Sequence, residues 1–183
     1  MSTIPLAPSL TGTWSIDPVH SLIGFAAKHL GINIVKGRFE TFEGTVEIPS
    51  DLSSLSTSGV IDAASVTTHF KMRDDHLRSA AFFDVENHPK ISFRSTGATP
   101  LGEGSAEVTG EISIRGVTRP LWLRVEARGI ATDQFGNERV GLHTTGELQR
   151  SDFGMPYDER VAGIPIAADT IRLELDIEAT KQD

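Results

Sequence analysis

Apolar and polar positions alternate with a period of two through most of the chain. The clearest stretch is C-terminal, where Ile171, Leu173, Leu175 and Ile177 interleave with Arg172, Glu174, Asp176 and Glu178. Successive side chains of a strand point to opposite faces, so this pattern predicts an antiparallel strand with one buried and one wet face. Leu121, Leu123, Val125 and Ala127 likewise oppose Trp122, Arg124, Glu126 and Arg128. Val108, Ile112 and Ile114 oppose Glu107, Glu111, Ser113 and Arg115, and Phe42, Val46 and Ile48 oppose Thr41, Thr45 and Glu47. Further strands are predicted near 12–18, 20–30, 58–67, 90–96 and 139–150.

Turn chemistry separates these runs. Arg115-Gly116-Val117-Thr118-Arg119-Pro120 joins one pair and Asp133-Gln134-Phe135-Gly136-Asn137 the next, with Gly and Asn supplying positive φ for tight reversals. Short strands joined by hairpin connectors indicate a barrel or a sandwich. A single helix is predicted over 73–80. Asp74 and Asp75 suit its positive end, and Asp74 with Arg78 has the spacing of an ion pair. Residues 1–11, with two prolines and small polar residues, read as a loose N-terminal arm, and 12–183 as one domain.

Composition narrows the partners. Hydrophobic residues make up 38% of the 183 positions and charged ones 23%, enough for a core and too apolar for general disorder. The net charge of −8, with no basic run, argues against nucleic acid and against anionic membrane surfaces. The chain has no cysteine, which removes disulfides, thiolate catalysis and cysteine-bound metal. No apolar run spans a bilayer, and the first residues lack the basic and apolar regions of a secretory signal, so the expectation is a cytoplasmic protein without membrane insertion.

Candidate chemistry falls in two segments. Alternation places Ser21, Ile23, Phe25, Ala27 and His29 on one face of a strand that follows His20, an apolar face bounded by a hydroxyl and an imidazole. In the second segment, Arg73, His76, Leu77 and Ala80 share a helix face beside Asp74, Arg78, Phe82 and Phe83, and Arg with His can receive an anionic or polar head group. The bland alternatives are a core histidine at position 29 and a helix whose charges only cap and pair. The six histidines include no pair at metal-binding spacing, although His20, His29 and His76 can converge across strands; no metal or other cofactor is expected. Ser21 has no nucleophile-elbow context, and its neighbour His20 points to the opposite face.

The segments WSIDPVHSLIGFAAKHL, KGRFETFEGTVEI, ASVTTHFKMRDDHLRSAAFFDVENHPKISFRST, VTGEISIRGVTRPLWL and GELQRSDFGM, in this order, resemble the YceI-like family of polyisoprenoid-binding or lipid-binding proteins. The resemblance covers about 12–180. It implies an all-β, lipocalin-like antiparallel barrel of about eight strands with one short helix and an apolar tunnel. It also implies a long amphiphile, such as a polyprenyl phosphate or an isoprenoid quinone, as the ligand carried or sequestered there. The family's polar positions map onto His20, Ser21, His29, Arg73, Asp74, His76 and Arg78, as candidates for head-group binding. Phe25, Phe39, Phe42, Phe82, Phe83, Phe93 and Trp122 are candidates for the tail, Trp122 standing on the face opposite Leu121 and Leu123. Many relatives are exported, whereas this N-terminus favours a cytoplasmic carrier. The expected protein is a binder with no catalytic residue. Its rivals are a small barrel enzyme with His29 or His76 as general base and Asp74 as orienter, and a stress-related interaction protein with a filled barrel. Homodimerisation fits any of these readings.

Overall fold

The computed structural model describes residues 10–183. Its strands in chain order are β1 (Gly12–Ile16), β2 (Leu22–His29), β3 (Asn33–Phe39), β4 (Phe42–Ile48), β5 (Ser56–Asp62) and β6 (Val66–Thr67), followed by the helix α1 (Lys71–Arg78). After the helix come β7 (Lys90–Gly102), β8 (Ser105–Ile114), β9 (Val117–Thr132), β10 (Glu138–Gln149), the short β11 (Arg160–Val161) and β12 (Ile164–Pro165), and the long β13 (Ala167–Lys181). The arm expected over 1–11 lies mostly outside the described residues; Leu10, at its end, is buried.

Eight strands close into an antiparallel ring in the order β1-β4-β5-β7-β8-β9-β10-β13, with β13 pairing back onto β1. Closure leaves no unpaired edge around the ring. The fifteen residues of β13 serve two partners along one edge: β1 pairs with Ala179–Lys181 and β2 with Ala167–Asp176. From β2 the sheet continues through β3 to β6, a flap that extends the wall on one side. At the break between β1 and β2, the Ser21 hydroxyl donates to the Glu178 carbonyl and accepts from the Glu178 amide, standing in for ladder hydrogen bonds. Ser21 therefore repairs a seam of the sheet.

The hairpin between β8 and β9 is tighter than the sequence suggested. Arg115 and Gly116 alone make the turn, both with positive φ, and Val117 already pairs with Ile114. Two consecutive positive-φ residues match the right-handed twist of the flanking strands. The Arg115 side chain then reaches the carbonyls of Ala80 and Phe82 and ties the segment after α1 to the barrel.

Helix α1 begins two residues earlier than expected. Its N-cap, Phe70, offers no side-chain hydrogen bond; Asp74, inside the helix, instead reaches back to the segment that precedes it. The buried Asp74 carboxylate accepts from the Thr68 amide at 2.7 Å and from the hydroxyls of Thr68 and Thr67. Burial alone would raise its pKa, but these hydrogen bonds, Thr68 foremost, hold it below the ordinary carboxylate value. The Asp74–Arg78 pair does not form. Arg78 donates to the carbonyls of Ala64 and Val66 and pairs with Asp75, which also meets Lys71.

Charge is organised elsewhere by Arg139 on β10. Its Nη1 donates to Asp17 at 2.7 Å and to Glu178 at 2.8 Å, and its Nε to Asp133 at 2.7 Å. Hydrogen bonds from His20 and Arg139 hold the Asp17 carboxyl down at about 2, and Arg139 with the Asn137 amide holds Asp133 well below its usual range. Because folding lowers these pKa values, the unfolded chain takes up protons first. The stability they supply is complete above the unfolded value of about 4 and is lost as the pH falls towards 2. The melting temperature is expected to drop across that window, and Arg139→Gln to flatten the drop; an identical profile for both proteins would show that the clamp has no part in acid stability.

Candidate functional site

The two ends of the barrel are packed differently. At one end Trp14 is fully buried, its indole N–H donating to the Leu10 carbonyl, with Val46, Ile48, Val140, Ile177 and Ala179 packed around it. This end is solid. Towards the other end the inward side chains of the same strands stop filling the interior. Along one face of β13, Ile177 and Ala179 are buried, whereas Leu175, Leu173 and Ile171 are only half-buried although they point inward. Inward residues that remain accessible line a void, and the void measures about 650 Å³. That lies within the range of sites that bury small ligands.

Two aromatic–glycine contacts help to keep this space open. Phe25 on β2 faces Gly37 on β3, and Phe93 on β7 lies over Gly110 on β8; a Cβ at either glycine would run into the ring. Without those side chains the rings lie down against the wall rather than standing into the lumen. Phe39 packs between Phe25 and Phe83 at centroid distances of 5.7 and 5.5 Å, a further aromatic patch of the lining.

Six of the seven predicted tail residues, Phe25, Phe39, Phe42, Phe82, Phe83 and Phe93, line the cavity. Trp122 does not. It stands on the outer face of β9, 56% exposed, because Leu121 and Leu123 take the inward positions on either side of it. Of the polar candidates, His29, Arg73 and His76 border the cavity. His76 meets Phe82 and Tyr157 edge-on at 5.1 Å each, and the Arg73 guanidinium bonds to the Thr68 hydroxyl and carbonyl beside the Phe70 ring. The other four, His20, Ser21, Asp74 and Arg78, are not in the lining: Ser21 repairs the seam, Asp74 and Arg78 fasten α1, and His20 binds Asp17 outside the barrel. Asp74 is engaged by threonines, so it does not orient His29 or His76 as a base.

The carboxylates of Asp17 and Glu178 and the His20 ring also lie close enough together to hold a cation. The Arg139 guanidinium already bridges both carboxylates there.

Sequence reasoning missed Arg150 and Tyr157. Arg150 is buried, borders the cavity, and is held by the carbonyls of Ala168, Tyr157 and Ala167 rather than by a carboxylate. Tyr157 packs against Phe82 with centroids 4.7 Å apart, and burial, reinforced by the charge of Glu159, pushes its phenol pKa up. A signal existed. Leu142, Thr144 and Leu148 share the inward parity of β10, Arg150 in the 3-10 turn just after the strand continues it, and all four border the cavity. Arg150, Tyr157, His76 and Arg73 therefore place a polar group at the α1 end of a largely apolar cavity, which Glu43, Thr57 and Ser58 also border from β4 and β5. Such a site can accept an apolar chain along its length and a polar or anionic group at that end.

The wider comparisons agree with this architecture. A UPF0312 protein of Vibrio parahaemolyticus is 33% identical over 164 residues, covering 89% of this chain and 83% of its own. The crystal structure of Burkholderia cenocepacia BcnA superposes with a TM-score of 0.80 at 23% identity, covering 90% of this chain and 99% of that one. A polyisoprenoid binding domain from Saccharophagus degradans, implicated in plant cell wall breakdown, superposes with a TM-score of 0.71 at 14% identity, covering 92% and 98%. The family model for the YceI-like domain matches residues 14–179. With nearly the whole barrel inside that match, the chain belongs to the YceI-like family.

Proposed function

We propose that the barrel binds a long-chain amphiphile of isoprenoid type, its tail in the lumen and its head group among Arg150, Tyr157, His76, Arg73 and His29, and that it carries or sequesters this molecule. One observation carries the reading: a barrel solid around Trp14 becomes, along the same strands, a 650 Å³ cavity with an almost wholly apolar wall. An apolar void of this size has no use for water, whereas each methylene moved into it from water gains about 0.8 kcal/mol. A long prenyl chain needs a bilayer or such a tunnel to leave water. The Saccharophagus degradans domain, described as polyisoprenoid binding, shares the fold.

Native mass spectrometry of the protein purified from its own host is expected to show a lipid adduct, and organic extraction to release a prenyl-type compound. A protein that carries no lipid and takes up neither geranylgeraniol nor a polyprenyl phosphate would overturn the assignment.

A further inference from the structure

The cavity opens among side chains that a soluble protein has no internal reason to expose. Of the eleven large apolar residues that are exposed among the described residues, six stand on three elements around this opening. Ile32, 85% exposed, occupies the turn from β2 to β3, with Ile34 just beyond it. Phe70 and Met72, 53% and 74% exposed, flank the start of α1 and also line the cavity. Val161 and Ile164 belong to the β11–β12 hairpin. The β2–β3 turn adjoins the β11–β12 hairpin, where a Cβ on Gly31 would lie 3.9 Å from Ile164 and the Leu30 amide donates to the Ile166 carbonyl, and α1 meets the segment leading into that hairpin where His76 touches Tyr157.

The charge around the opening runs against that of the molecule. Segments 28–36, 69–78 and 157–166 carry six Lys or Arg and four Asp or Glu, while the whole chain has a net charge of −8. The overall charge, which by itself argues against anionic surfaces, is thus carried elsewhere. Asp74 is buried, Asp75 is paired with Lys71 and Arg78, and Asp158 with Arg160, which leaves Lys28, Lys36 and Arg73 against Glu159. Apolar side chains ringed by basic ones are the composition that binds the interface of an anionic bilayer.

From this geometry we propose that the α1 end docks on an anionic lipid bilayer, so that the tunnel mouth meets the interface and a lipid passes between bilayer and barrel without crossing water. The proposal rests on the lipid-binding reading of the cavity. It is tested by flotation with phosphatidylcholine vesicles containing a quarter phosphatidylglycerol, and by transfer of a fluorescent prenol from those vesicles. Wild-type protein floats with the vesicles at low salt and less at high salt. Ile32→Glu combined with Val161→Glu, two exposed positions outside the cavity lining, lowers the bound fraction and the transfer rate at least about tenfold. The same variant takes up the prenol from a detergent dispersion as the wild type does. Wild-type protein that never floats, or a variant that floats and transfers equally well, overturns the docking surface. Loss of uptake from detergent by the wild type would instead overturn the lipid-binding reading itself.

Discussion

Replacing Leu173 with tryptophan is expected to weaken prenol binding by about two orders of magnitude while barely moving the melting temperature. Leu173 points inward from the middle of β13, opposite Phe25 on one neighbour and Gly146 on the other, and is only half-buried because it faces the void. In a filled core an added ring forces its neighbours apart at a cost of about 1–3 kcal/mol. Here the indole has empty space to enter. The volume it takes would otherwise hold part of a tail. Displacing about four methylenes forfeits about 3 kcal/mol, or roughly a hundredfold in affinity. Fluorescence titration with a labelled prenol, paired with a thermal melt, separates the two effects. Unchanged affinity would remove the lumen as the binding site, and a large fall in melting temperature would mean that the interior at Leu173 is packed.

Trp14→Ala is expected to act in the opposite sense, on stability first. The indole is fully buried where β1 is stitched between β4 and β13, its N–H is satisfied by Leu10, and the Lys181 ammonium sits 5.6 Å from its ring centroid. Removing a core tryptophan costs about 3–5 kcal/mol. For a domain of this size that corresponds to a fall of roughly 10 °C or more in melting temperature. Calorimetry on the variant checks this, and a loss of only a few degrees would show that the ring closes without its plug.

The sequence readings that succeeded share one physical basis. Strands such as β8 and β13 have a wet outer face and an apolar inner one, and strict alternation reports that difference directly. It also placed Trp122 opposite two inward leucines, so its outward position was legible even though its aromatic character suggested the lining. Where both faces meet protein, or the chain bends, the signal fails. The strand expected over 58–67 is β5, a short 3-10 turn at Ala63–Ser65, and then β6. Strand β3 was not separated from its surroundings, because Ile32 and Ile34 are apolar yet exposed and blur the alternation. For the polar candidates, residue type alone cannot tell a group that borders a cavity from one that secures a fold. Asp74, Arg78 and Ser21 proved to hold backbone and helix in place, while Arg150, an arginine at an inward position, borders the cavity where hydrophobicity rules give it no place.

The closed floor at Trp14 has a bearing on selectivity. A lumen that ends on a packed floor behaves as a gauge: a linear guest slides in until its tip meets Val46, Ile48 and Ile177, which lie over the indole, and whatever exceeds that depth stays outside. The preferred cargo would then be chosen by reach rather than by the chemistry of its repeating units. The depth between α1 and this floor, not any single contact, would set the cut-off.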